Sequence, residues 1–280
     1  MPFKDILLHL ESYPDRVSDR AIDGATALAA ALGKNVTAVS PRVDIPLKTN
    51  RLADFALRLG DLARAEEARG AGQADAALDR FEVQAKLLGV YGGRLQPKLE
   101  VFEAGDHLAM LARTRDLCVV PASPQNGVYQ GVAEAVLFGS GRPVVIAPEN
   151  AALEPRLDTI LVAWDGGAPA AAAVGAAMPL LCEAKTVKIL VVMNEKEGVD
   201  AHLADDLLRH LGLYGVAAEV QTFDAAGATI GSVFSHVTER VRPDLMVMGA
   251  FGHSRARQFV LGGATRAVLE SPPTPVLLAR

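Results

Sequence analysis

The sequence predicts an α/β fold of two tandem open five-stranded parallel sheets, each with helices on both faces. Three observations carry this. Short runs of Val, Ile and Leu without polar alternation, such as Leu245-Met246-Val247-Met248, suit parallel strands buried on both sides. Ala-rich segments of helical length alternate with these runs, as right-handed βαβ crossovers require. The whole pattern then occurs twice.

The elements follow in order. Lys4 to Leu10 opens the first half as a strand and Leu157 to Trp164 opens the second, with an aspartate, Asp5 or Asp158, near the head of each. Ala25 to Leu32 reads as a helix leading to the strand Asn35 to Ser40, and Ala170 to Cys182 leads likewise to Thr186 to Val192. Asn50 to Val90, rich in Ala, Leu, Arg and Glu, reads as one long helix that Gly70-Ala71-Gly72 kinks or divides. Third strands are expected near 98–103 and 217–223. Arg115 to Val120 matches Pro243 to Met248 as fourth strands, and Arg142 to Ala147 matches Thr274 to Ala279 as fifth. Four correspondences in one order identify a tandem duplication. Glu149 to Pro155 reads as the linker, so the domains are 1–150 and 151–280.

Composition narrows the class. The chain has 280 residues, 50% apolar and 22% charged, which supplies ample core for two domains. A net charge of −5 argues against general nucleic-acid or membrane-surface binding. No apolar run approaches the ~20 residues of a spanning helix. Lys4 and Asp5 interrupt the start, so no signal peptide is read and a cytoplasmic protein is expected. Cys118 and Cys182 lie in apolar or helix-like runs and are expected to be buried, reduced thiols. They make neither a disulfide framework nor a zinc spacing.

The segment with chemistry follows the fourth strand of the second half. Met248-Gly249-Ala250-Phe251-Gly252 is followed, after nine residues, by Gly262-Gly263-Ala264-Thr265 and a helix-like run to Glu270. Glycines between a strand and a helix N-terminus let backbone N–H groups approach an anion, which is phosphate-binding chemistry. The second half has four more residues here than the first, where Pro121 to Gly127 stands and the glycine spacing is missing. Ligands of open parallel sheets sit beyond the strand carboxyl ends. That places Trp164 and Asp165 at the end of the first strand, and Val192 on the second, around the same corner. Asp165 suits an adenine amino group or ribose hydroxyl, Val192 offers apolar surface to a base, and Thr265 adds a hydroxyl.

These residues resemble the universal stress proteins. The family's nucleotide signature is Gly, two residues, Gly, nine residues, then Gly with Ser or Thr, and Gly249, Gly252 and Gly262 match its spacing. The resemblance spans nearly the whole chain as two tandem domains. It implies a Rossmann-like, adenine-nucleotide α-hydrolase-like fold and ATP binding, with Mg²⁺ accompanying the triphosphate. By position it implies that Ala163, Trp164, Asp165 and Val192 surround base and sugar. Met248, Gly249, Phe251 and Gly252 then form the loop towards ribose and phosphates, and Gly262, Gly263, Ala264 and Thr265 the cradle. Gly263 stands where the family carries Ser or Thr, so one hydroxyl contact is lost while its N–H remains. One competent nucleotide site per chain is implied, not two.

Other readings stay open. Asp165 before Gly166-Gly167 also suits a turn or a helix cap, and Trp164 suits core as well as a base. His253, Ser254, Arg255 and Arg257 suit a solvated loop face, with Arg255 or Arg257 near phosphate as the alternative. Gly139-Ser140-Gly141 precedes a strand and reads as a turn, and Asp106-His107 as a helix start. No Gly-x-Ser-x-Gly elbow, His-Glu-x-x-His or Walker-type Gly-Lys-Thr occurs. The expectation is a stress-response sensor or regulator with slow or absent ATP hydrolysis. The alternatives are an interaction scaffold, or a binder of another small ligand such as a lipid or cyclic nucleotide. Single-domain relatives of such folds pair. Duplication would place that pairing inside one chain at the fifth strands, an intrachain pseudo-dimer, with a further homodimer left open.

Overall fold

The computed structural model describes residues 2–46, 59–123, 127–194, 202–251 and 262–280. In the first half, β1 (Phe3–His9), α1 (Asp19–Leu32), β2 (Gly33–Val39) and β3 (Arg42–Asp44) lead to the long α2 (Leu59–Leu87). Then come β4 (Tyr91–Leu95), β5 (Lys98–Glu100), α3 (Ala104–Ala112), β6 (Leu117–Pro121), α4 (Val128–Gly139) and β7 (Val144–Ala147). The second half runs β8 (Thr159–Ala163), α5 (Ala168–Leu181), β9 (Thr186–Met193), α6 (Asp205–Leu213) and β10 (Ala218–Asp224). It closes with α7 (Ile230–Val241), β11 (Leu245–Gly249), α8 (Gly263–Glu270) and β12 (Val276–Ala279).

Ten strands form one continuous sheet in the order β10-β9-β8-β11-β12-β7-β6-β1-β2-β4. Each half is parallel within itself and follows the order third, second, first, fourth, fifth. The halves meet where β12 runs antiparallel to β7, with Val276 opposite Ile146, Leu277 opposite Val145 and Leu278 opposite Val144. The pairing of fifth strands within one chain is therefore present. It points the strand carboxyl ends of the two halves in opposite directions.

Side-chain alternation divides the core between the two faces. Ile6, Leu8, Val162, Val247 and Leu277 pack beneath α1, α2, α5 and α6. Leu7, Leu161, Met246, Met248 and Leu278 pack beneath α3, α4, α7 and α8. Local signals start the helices. Ser18 caps α1 by accepting from the Ala21 N–H at 3.2 Å, and Thr229 caps α7 by accepting from the Ser232 N–H at 3.3 Å.

Three expectations are corrected. The third strand of the first half is Tyr91–Leu95, paired with β2; Lys98–Glu100 instead pairs with β3 in a two-stranded side sheet and continues into a 3-10 turn at Val101–Glu103. Gly70 does not break α2, which is continuous through it. A Cβ there would lie 2.9 Å from Val43 Cγ1, so glycine lets the helix sit close on β3. Cys118 is buried, and burial pushes its thiol up. Cys182, at the C-cap of α5, is exposed. Among the described residues, no helix is long and apolar enough to cross a membrane.

Candidate functional site

The carboxyl ends of β8, β9 and β11 and the N-terminus of α8 meet at one corner of the second half. β8 lies between β9 and β11, with Ala163 opposite Leu190 on one side and Met248 on the other. Beyond Ala163 the chain turns sharply. Asp165 Oδ1 accepts from the Gly167 N–H at 3.0 Å, Gly166 takes φ of 72°, and Gly167 is the N-cap of α5. The aspartate is exposed at the mouth while shaping the turn.

The end of β9 is tied to the end of β10. Asn194, at φ of 59°, donates through Nδ2 to Asp224 Oδ1 at 2.9 Å, and the same oxygen accepts from the Ala226 N–H at 2.9 Å. The Asn194 amide, then the Ala226 amide, holds the Asp224 carboxyl below its ordinary range. Sequence reading passed over this pair. Its only signal was an Asn and an Asp at neighbouring strand ends, which are frequent turn residues.

β11 ends at Gly249, half-buried and opposite Ala279. A Cβ at Gly249 would lie 2.5 Å from the Pro169 carbonyl carbon and 2.9 Å from Ala170 Cα. This glycine therefore admits the backbone of α5, a reason that motif spacing alone did not show. Ala250 donates to the Ala279 carbonyl at 2.8 Å. Phe251 then takes φ of 61°, a region bulky residues avoid, at a cost of ~1–3 kcal/mol. Its N–H donates to Thr265 Oγ1 at 3.1 Å, and Thr265 is 3% exposed. The Thr265 hydroxyl thus holds the Phe251 backbone instead of standing open at the mouth.

Gly262 is the N-cap of α8 and Gly263 its first residue. A Cβ at Gly262 would meet no described atom within 4 Å. With no side chain at the N-cap, the first-turn amides of α8 receive no cap from that residue. Gly263 is exposed and Ala264 half-buried. Gly252, His253, Ser254, Arg255 and Arg257 lie outside the described residues.

Ala163, Val192, Met248, Phe251 and Ala264 share one face of the sheet. Trp164 does not join them. It packs on the opposite face with Leu203, and its Nε1 donates to the Leu203 carbonyl at 3.0 Å. Alternation along β8 sends neighbouring residues to opposite sides, so Ala163 and Trp164 do not face one ligand together. Two cavities among the described residues lie elsewhere. A groove of about 550 Å³ runs beside α7 and α8, past Ser235, His236 and Glu239. Another of about 230 Å³ lies at the linker, between Leu28 and Pro275.

The first half shows what became of its own corner. The matching registers of Ile6 with Leu117 and of Ile160 with Leu245 put His9 at the position of Ala163 and Glu11 at that of Asp165. Both are buried, His9 at 1% and Glu11 at 7% exposed, with His9 Nε2 and Glu11 Oε2 3.3 Å apart. Glu11 Oε1 accepts from the Ser12 and Tyr13 N–H groups. The carboxylate position that is open in the second half is packed shut in the first.

An open α/β sheet in the order third, second, first, fourth, fifth, with its crevice at the reversal between first and fourth strands, defines a Rossmann-like fold. Residues 156–280 match the family profile described as the universal stress protein family. The whole chain shares its fold with solved structures. A universal stress protein from Archaeoglobus fulgidus DSM 4304 aligns with a TM-score of 0.70 at 17% identity, over 100% of this chain and 97% of its own. A candidate universal stress protein from Pseudomonas aeruginosa UCBPP-PA14 gives 0.56 at 15% identity, over 99% and 93%. A protein of unknown function from Pseudomonas aeruginosa PAO1 gives 0.54 at 15%, over 98% and 92%. No curated protein matches the sequence.

Proposed function

We propose that the second half binds ATP and that the chain acts as a nucleotide-dependent sensor or regulator with slow or no hydrolysis. The observation that carries this is the meeting of three strand ends with an α8 N-terminus whose N-cap is glycine. Backbone amides there favour an anion, and the helix dipole adds roughly 0.3–2 kcal/mol. Ala163 and Val192 supply an apolar floor on the same face, and Asp165 stands exposed at the rim. Among the described residues no group of three or more His, Cys, Asp or Glu gathers to hold a metal. Mg²⁺ would ride on the phosphates and water, which suits its preference for a hydrated shell.

The direct test is mass spectrometry of small molecules released from protein purified without added nucleotide, followed by titration with ATP. Binding that weakens at least tenfold in Asp165→Ala and Gly252→Val supports the reading. A wild-type chain that binds no adenine nucleotide at millimolar concentration ends it. Steady ATP turnover by the wild-type chain, abolished by Asp165→Ala, would keep the nucleotide reading and overturn the sensor assignment.

A further inference from the structure

We infer that the first half positions Phe251, the residue that leads from β11 into the nucleotide loop of the second, acting through Phe138. This rests on the reading of that loop as a phosphate-binding segment. The antiparallel seam makes the contact. Because β7 and β12 run in opposite directions, the carboxyl end of α4 in one half lies beside the strand carboxyl ends of the other. The Phe138 ring there meets the Phe251 ring, with centroids 4.5 Å apart and planes tilted by 56°. The Arg280 guanidinium, just past β12, lies 4.2 Å from the Phe138 centroid. Phe138 is thus placed between Arg280 and Phe251.

Phe251 is the residue in need of such support. Its positive φ is unfavourable for an aromatic side chain, and it stands at the last described position before the glycine loop. Strained backbone persists only where its surroundings hold it. Two groups hold this one: the Thr265 hydroxyl on its N–H, from within the same half, and the Phe138 ring on its side chain, from the other. The arrangement is reciprocal. At the far end of the same pair of helices, the Tyr129 hydroxyl and Gln130 Nε2 of α4 both donate to the Leu269 carbonyl at the end of α8. Each half therefore reaches the strand-four loop region of the other. Phe138 does not touch the proposed phosphate site; it acts through Phe251.

The test uses the full chain with Phe138→Ala, Phe138→Leu and Phe138→Tyr. The first two remove the ring and the third keeps it. Amide hydrogen exchange at Phe251 is read against the β11 amides, and ATP affinity is titrated on the same samples. An aromatic pair of this kind corresponds to roughly a two- to tenfold effect. Phe251 exchange is expected to quicken by that factor in Phe138→Ala and Phe138→Leu while β11 stays protected. ATP binding should weaken by the same factor, and Phe138→Tyr should restore both. If Phe138→Ala does not fold, Phe138→Leu, which keeps apolar volume, decides. Unchanged exchange at Phe251, or equal acceleration at β11, overturns the inference. If the wild-type chain binds no ATP, the nucleotide reading falls, and the exchange comparison still decides whether Phe138 holds Phe251.

Discussion

Gly249 carries a proposed role in binding and an observed one in packing. Motif spacing marks it as part of a phosphate loop, while the structure shows it admitting the α5 backbone at Pro169 and Ala170. Gly249→Ala should therefore cost about 1–3 kcal/mol in stability by overpacking, whatever it does to ligand binding. Thermal melts of the nucleotide-free protein check this; an unchanged midpoint would show that α5 shifts freely. Asp224 offers a pH test with a definite sign. Its carboxyl is depressed first by the Asn194 amide and then by the Ala226 amide. A depressed carboxylate contributes stability above its unfolded value, near pH 4, and loses it as pH falls through the folded value. Asp224→Asn should flatten the acid limb of melting temperature against pH, lowering the midpoint at neutral pH and leaving it little changed at low pH. The cysteines give a third test. Cys182 should react with a thiol reagent in the native protein, whereas Cys118 should react only on unfolding.

At the scale of elements, legibility followed burial. Strands covered on both faces, such as β6 and β11, read as unbroken apolar runs and stand where the sequence puts them. The edge strand β4 did not. Tyr91-Gly92-Gly93-Arg94-Leu95 has two glycines and a charge, which is poor strand composition. Its place is set by pairing with β2 and by Arg94, which reaches Asp79 on α2 at 2.6 Å. The stronger alternation at 98–103 misled, because it belongs to a side strand and a turn where Phe102 is 93% exposed. The site divides the same way. Strand ends and glycine spacing located the corner from sequence. Trp164 lies on the face opposite Ala163, as the alternation of β8 carried one residue further requires, and Phe138 lies more than a hundred residues from Phe251 in the other half. The capping Thr229 gives an element-scale prediction: Thr229→Ala should destabilise by about 1 kcal/mol, read by denaturant unfolding.

At the scale of the molecule, the seam decides behaviour. β12 is short and wholly buried, and every described neighbour pair across it is apolar. A fragment of residues 151–280 would expose that edge. Unpaired apolar edges seek partners, so the fragment should sediment as a dimer joined through β12. A monomer at micromolar concentration would show that the seam is dispensable.

The opposed directions of the two half-sheets give the molecule a front and a back. On the front, Asp165 and the α8 N-terminus face solvent; on the back, His9 and Glu11 sit sealed beneath the surface. A ligand held at the front has no counterpart to meet behind it. If the front holds the proposed nucleotide, a protein that reads its presence must approach from one side only, and a symmetric reader would find just half of its expected target.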